Sequence, residues 1–330
     1  MDPVAFKNKL FRCADDATRD SWALELFHWQ AEQVAPYAEY LKHLAVNHAQ
    51  IKRTQDIPYL PVELFKAHEV KASGFPAIKT FSSSGTTGQE PSLHHVVDLE
   101  VYEQSYLNTF QTFYGDPSDY VVFALLPSYL ERSGSSLIDM AQGLITRSEH
   151  PDSGFFLDDL KALNKLLTKH LNSDRKILLL GVSFALLDLA EQYPKPLPKN
   201  AVVMETGGMK GRRREMIRSE LHQILKEAFN LSVIHSEYGM TELLSQAYAP
   251  TGRCFQTSHW MRLSLRDTED PLSPAPPGKT GGVNVMDLAN IYSCAFIATQ
   301  DLGRPCPEGG IEILGRFDNA EVRGCNLMVQ

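Results

Sequence analysis

Residues 81–91 read Phe81-Ser82-Ser83-Ser84-Gly85-Thr86-Thr87-Gly88-Gln89-Glu90-Pro91, hydroxyls and two glycines set between two apolar segments. Glycine lets backbone N–H groups approach a ligand closely, and serine and threonine add donors, so this chemistry suits a phosphate. It is not a lysine-bearing P-loop, because no Lys-Ser/Thr follows Gly88. The nearest decoy, Gly278-Lys279-Thr280, has Ser273 where the first glycine is required, and prolines crowd it. The flanking residues predict a strand into the loop and a second strand through His94 to Val97.

Bulk properties narrow the setting. A chain of 330 residues suits one large or two modest domains. The net charge of −8 argues against nucleic acid as a partner. The longest apolar run, 177–187, is interrupted by Gly181 and Ser183 and is too short to span a bilayer. There is no basic-plus-apolar leader at the N-terminus. The five dispersed cysteines (Cys13, Cys254, Cys294, Cys306, Cys325) lack a C-x-x-C pair. That pattern fits reduced thiols and a cytoplasmic location.

Along the chain, residues 1–50 carry apolar side chains at helical spacing, among them Trp22, Leu26, Phe27, Trp29, Val34 and Tyr37. A helix is predicted from Asp98, as its N-cap, to about Phe113. Strands at 120–126, 176–180, 201–205 and 232–235 then alternate with helices at 136–147, 158–171, 183–192 and 212–229. That alternation implies a parallel sheet covered on both faces, an α/β fold. After residue 250 short strands and turns predict a smaller β subdomain, with a Pro-rich hairpin at 271–278.

Three further motifs carry chemistry. In His235-Ser236-Glu237-Tyr238-Gly239-Met240-Thr241-Glu242, a hydroxyl beside a carboxylate can hold Mg²⁺ and a phosphate oxygen together. Tyr238 can stack on a base. In Ala298-Thr299-Gln300-Asp301-Leu302-Gly303, an Asp after a strand can accept from both ribose hydroxyls. The last is Gly315-Arg316-Phe317-Asp318-Asn319, followed by Arg323-Gly324-Cys325. Each has a plain alternative when taken alone: a strand-end turn with a solvated Glu, an Asp-Leu-Gly turn that is then the better reading, and a charged tail. Of the His94-His95 pair only one can face a site from a strand, with His95 preferred for that, but a surface or packing role is the leading reading for both.

In this order the motifs resemble those of the adenylate-forming superfamily. Leu126-Pro127-Ser128-Tyr129-Leu130-Glu131-Arg132, Gly181 to Glu191, and Glu205-Thr206-Gly207-Gly208-Met209-Lys210-Gly211 resemble the acyl-protein synthetases. These activate fatty acids in bacterial luminescence, and phenylacetate–CoA ligases are their cousins. The resemblance implies an adenylate-forming large N-terminal domain over 1–315. Within it lie a helical segment 1–55 and a β subdomain at about 250–315, with a short tail 316–330. It also implies that the usual C-terminal lid domain is absent.

By the same resemblance, Ser83, Ser84, Gly85, Thr86, Thr87 and Gly88 cradle the ATP phosphates. Gly207 and Gly208 offer backbone to the adenine edge, Tyr238 stacks on it, and Gly239 is a further nucleotide-binding residue. Thr241 touches the α-phosphate, Glu242 holds Mg²⁺, and Asp301 with Arg316 binds the ribose. Lys210 is the candidate to replace the lid lysine. Cys325 matches the position of the family's acyl-accepting cysteine. Arg323 nearby favours its thiolate, and Gly324 clears the approach. The implied activity is ATP-dependent conversion of a carboxylic, fatty acid to an acyl-adenylate. Transfer to Cys325 and delivery to a partner such as an acyl reductase follow. Two alternatives stand beside it: an aryl- or acyl-CoA ligase with a missing lid, and a non-catalytic nucleotide- or partner-binding subunit.

Overall fold

The structure, a computed structural model, describes residues 1–83, 90–126, 134–207, 213 and 216–317. They divide into two compact units. The first comprises the described residues of Met1–Ser105, Met240–Ser245 and Gln256–Gln330; the second comprises Tyr106–Gly239 and Gln246–Phe255.

The first unit opens with helices Pro3–Leu10, Asp16–Gln33 and Ala35–His43. Asp15 starts the long one by accepting the Thr18 N–H at 2.7 Å, satisfying a donor that the helix leaves orphaned. Its inward face carries Ala23, Leu26, Phe27 and Gln30. Phe27 meets Tyr37 and Phe296 edge-on. Gln30 donates to the carbonyls of Asn290 and Ile291 at 2.7 and 3.0 Å and accepts from Ala295 N–H at 3.0 Å, so this buried amide is satisfied. The helices thus cover a largely antiparallel sheet, with Leu60–Pro61 its parallel member, built on Phe296–Pro305. That strand pairs with Leu60–Pro61, with Gly281–Asp287 and with Ile311–Arg316; Met261–Arg266 lies beyond Gly281–Asp287. Its strands run to six, seven and ten residues, longer than the short strands the sequence suggested. A separate antiparallel hairpin pairs Lys79–Ser82 with Leu93–Val96, the two strands expected on either side of the hydroxyl-rich loop.

The second unit is the parallel sheet. Its strands lie in the order Ala247–Ala249, His235–Tyr238, Val202–Glu205, Lys176–Gly181, Tyr120–Leu125 and Gly154–Phe155, all parallel except the first. Tyr120–Leu125 is buried throughout, as a strand covered on both faces must be. The α/β class and the parallel-rich sheet agree with the sequence.

Two elements differ from expectation. The strand placed at 232–235 is His235–Tyr238, fixed by pairing of Met204 with His235 and Glu205 with Ser236. The helix placed at 212–229 begins at Arg218 in the described chain, because Ile217 is extended (φ −70°, ψ 147°). Arg213 instead reaches the neighbouring helix, bonding Glu191 at 2.7 Å and Asp188. The first turn of the helix carries Glu220, the sign that suits the helix dipole. Among the described residues, no helix is long and apolar enough to cross a membrane.

Candidate active site

In the first unit, motifs far apart in sequence converge on Glu242. At the base of the hairpin, Ser83 N–H donates to the Ser92 carbonyl at 3.0 Å, and Ser92 N–H donates to Ser83 Oγ at 2.8 Å. Ser83 therefore closes the neck of the loop. Ser92 in turn hydrogen-bonds the Glu242 carboxylate. Asp301 and Arg316 are direct cross-strand partners on Phe296–Pro305 and Ile311–Arg316, and both charges act on Glu242. Burial pushes the Glu242 carboxyl up. The Ser92 bond and the Arg316 charge oppose that rise, and Asp301 adds to it.

Three side chains hold the turn that presents Thr241 and Glu242. Asp287, fully buried, accepts from Leu244 N–H at 2.9 Å, Ser245 N–H at 2.8 Å and Ser245 Oγ at 2.6 Å. Asn290 Nδ2 donates to the Glu242 carbonyl at 2.8 Å. His94 Nδ1 lies 2.9 Å from the Thr241 carbonyl. Burial pushes His94 down to about 4 against the pull of that carbonyl, so near neutral pH the ring is uncharged and its Nδ1–H donates.

None of these three was legible as a site residue, and from the sequence His94 reads as a packing or surface residue. His94 is 1% exposed and packs edge-on to Phe65, whereas His95 bonds Thr80 at 3.1 Å on the other face. The alternation of the strand allowed either choice. Asp287→Asn turns one of the acceptor oxygens into a donor against N–H groups. We expect a loss of about 3 kcal/mol in urea-induced unfolding, with adenylation falling alongside.

The second unit positions Gly207, Tyr238 and Gly239. Gly207 follows Val202–Glu205 with φ of +65°, a left-handed conformation, and no described residue stands within 4 Å of where its side chain would be. Tyr238 ends its strand and meets Phe255 edge-on at 5.8 Å. A side chain on Gly239 would come within 2.5 Å of Glu237 Oε1, and Glu237 is held by the Thr206 hydroxyl at 2.7 Å.

Two buried carboxylates here titrate in opposite directions. Burial alone would raise Glu205. The His222 bond, the Arg218 charge, the Ser236 hydroxyl and the Gly207 N–H instead bring it down to about 2. Glu237 is pushed up to about 7 by burial and by the Glu205 charge, against the Thr206 bond. Unfolded, Glu237 titrates near 4.5, so the folded state holds its proton more tightly and stability falls as pH rises from about 4.5 to about 7. Glu205 stays ionised across that window. Glu237→Gln therefore gains on the parent chain between pH 5 and pH 8, by roughly 5 °C in Tm. Parallel melting curves with pH would refute this.

Ser84, Gly85, Thr86, Thr87, Gly88, Gly208, Lys210 and Cys325 lie outside the described residues. Cys13 and Cys294 are free and buried. Burial raises both thiols, Cys294 to about 12, which makes them poor nucleophiles. Phe184 lines a cavity of about 340 Å³ with Leu157, Asp188 and Tyr193. Phe123, Leu125 and Leu187 are buried core residues.

Comparison with known proteins gives the family and the fold. The family model described as "Acyl-protein synthetase, LuxE" matches residues 146–330. A long-chain-fatty-acid–luciferin-component ligase from Aliivibrio fischeri is 24% identical over 342 aligned positions, covering 94% of this chain and 87% of that protein. Among solved structures, a 2-hydroxyisobutyryl-CoA ligase superposes with a TM-score of 0.65 at 14% identity, over 92% of this chain and 69% of its own. ATP-bound MatB from Rhodopseudomonas palustris gives 0.52 at 17% identity, over 72% and 47%. The fold is that of the adenylate-forming ligases, and the chain belongs to the acyl-protein synthetase family.

Proposed function

We propose that this protein uses ATP to convert a fatty acid into an acyl-adenylate and then carries the acyl group as a thioester on Cys325. The observation that carries the proposal is the convergence on Glu242. A buried carboxylate sits with Ser92 at the neck of the hydroxyl-rich loop and feels both the Asp301 and the Arg316 charge. Burying a carboxylate short of positive charge costs stability, so a task is needed to explain it. The donor set is hard oxygen: the Glu242 carboxylate and the Thr241 hydroxyl beside it. Such groups fit Mg²⁺, which takes one or two carboxylates together with substrate phosphates. When bound, the metal neutralises charge on the phosphates.

The chain's own residues then have separate tasks. Ser83 and the loop residues Ser84, Gly85, Thr86, Thr87 and Gly88 donate to phosphate oxygens. Thr241 donates to the α-phosphate, and Asp301 accepts from the ribose hydroxyls beside Arg316. Gly207, Gly208, Tyr238 and Gly239 receive the base. Lys210 supplies the cation as the fatty-acid carboxylate attacks the α-phosphorus, and the bond to the β-phosphate breaks to release pyrophosphate. The Cys325 thiolate then attacks the acyl carbonyl and AMP leaves. Most of the acceleration comes from positioning and charge neutralisation. The name of the Aliivibrio fischeri relative, a long-chain-fatty-acid ligase, supports the substrate class. Membership of a family of acyl-protein synthetases supports a protein as the first acyl acceptor, and an acyl reductase is the onward partner of this proposal. The test is pyrophosphate release from Mg-ATP with and without a pool of saturated fatty acids. Release that depends on acid supports the proposal, and release indifferent to acid rejects it.

A further inference from the structure

The strand Val202–Glu205 is apolar until its last residue, and Glu205 is only 2% exposed. Its carboxylate accepts the Gly207 N–H at 2.7 Å. It also takes Arg218 Nε at 3.1 Å, with His222 Nε2 at 3.6 Å and Ser183 Oγ at 3.4 Å. Two consequences follow. With its N–H consumed, Gly207 keeps only its carbonyl to offer a ligand, and none of the described residues donates to that carbonyl. Arg218, held by Glu205, lies over the Phe255 ring at 5.0 Å, and Phe255 meets Tyr238 at an interplanar angle of 62°. One carboxylate thus fixes the hydrogen-bonding character of Gly207 and, through Arg218 and Phe255, backs the Tyr238 ring.

Resting on the reading of Gly207 and Tyr238 as the base-binding residues, we propose that Glu205 is the positioning residue that selects a 6-aminopurine. By occupying the Gly207 N–H it makes the backbone there an acceptor. An acceptor pairs with the 6-amino group of adenine. It opposes the 6-oxo group of hypoxanthine or guanine, which has no proton to give. A site built around one hydrogen-bond polarity rejects the opposite one because its polar group is left unpaired.

The test is calorimetric binding of Mg-ATP and Mg-ITP, which differ at position 6 of the base, to the full chain and two variants. The parent chain is expected to favour ATP roughly tenfold or more. Glu205→Asp keeps the charge beside Arg218 and His222 but withdraws the carboxylate from Gly207, and its preference should fall to about threefold or less. Glu205→Gln keeps an acceptor at the right length. Its preference should survive, while both nucleotides bind more weakly because Arg218 has lost its counter-charge. A merely structural Glu205 would tolerate or fail with either variant without moving the ATP:ITP ratio. An unchanged ratio in Glu205→Asp, a lost one in Glu205→Gln, or a parent chain indifferent to the base overturns the inference. A parent chain that binds neither nucleotide overturns the nucleotide reading as well.

Discussion

Glu242→Gln lowers acid-dependent pyrophosphate release roughly 100-fold or more without lowering the stability of the fold. The two halves of that expectation come from one fact. Burial raises the Glu242 carboxyl, with Ser92 and Arg316 only partly offsetting it. Above its pKa, a carboxylate raised in this way costs the folded state free energy. A neutral amide of the same shape does not bear that cost, so at pH 8 the variant should melt no lower than the parent chain. The activity falls because the amide has lost the charge that holds a cation against the phosphates. Raising the Mg²⁺ concentration should recover part of the rate. A variant that is fully active, or one that loses activity only through unfolding, would mean that Glu242 serves the fold alone. Pyrophosphate release measured together with melting temperature separates these cases.

The sequence went furthest where one residue type had one physical task. The apolar strands Tyr120–Leu125 and Lys176–Gly181 were visible because strands buried on both faces have no room for polar side chains. The hairpin around the hydroxyl-rich loop was visible because its glycines and hydroxyls stand between apolar segments. His235–Tyr238 was displaced by three residues because its buried positions Ser236 and Glu237 are polar. Their burial is made tolerable by Thr206, Glu205 and His222, partners that no local pattern shows. The same reason hid Asp287 and Asn290. Their task is to satisfy backbone groups of Met240–Ser245, more than forty positions away, and such a pairing is fixed only by the fold. The hydrogen bond from His94 to the Thr241 carbonyl was not legible, since strand alternation gives two faces without saying which one is buried.

Cys325→Ser removes the acyl adduct completely but leaves acid-dependent pyrophosphate release in place. In the proposed mechanism the first half-reaction uses the phosphate loop, Thr241, Glu242, Asp301 and Arg316, and none of these depends on a thiol. The second needs a nucleophile that is a thiolate near neutral pH. Burial disfavours that state at Cys13 and Cys294. At Cys325, Arg323 two residues earlier favours it, and Gly324 offers no side chain to obstruct the acyl group. Serine is a far weaker nucleophile without a base to activate it, so it does not substitute.

The most direct test of this account is the intact mass of the purified full chain after incubation with Mg-ATP and a pool of saturated fatty acids, beside Cys325→Ser treated identically. The account predicts one hydroxylamine-labile, acyl-sized addition on the parent chain and none on the variant, and the added mass identifies the acid. An unmodified parent chain that forms acyl-CoA once CoA is supplied, or an adduct of equal yield on Cys325→Ser, would contradict it.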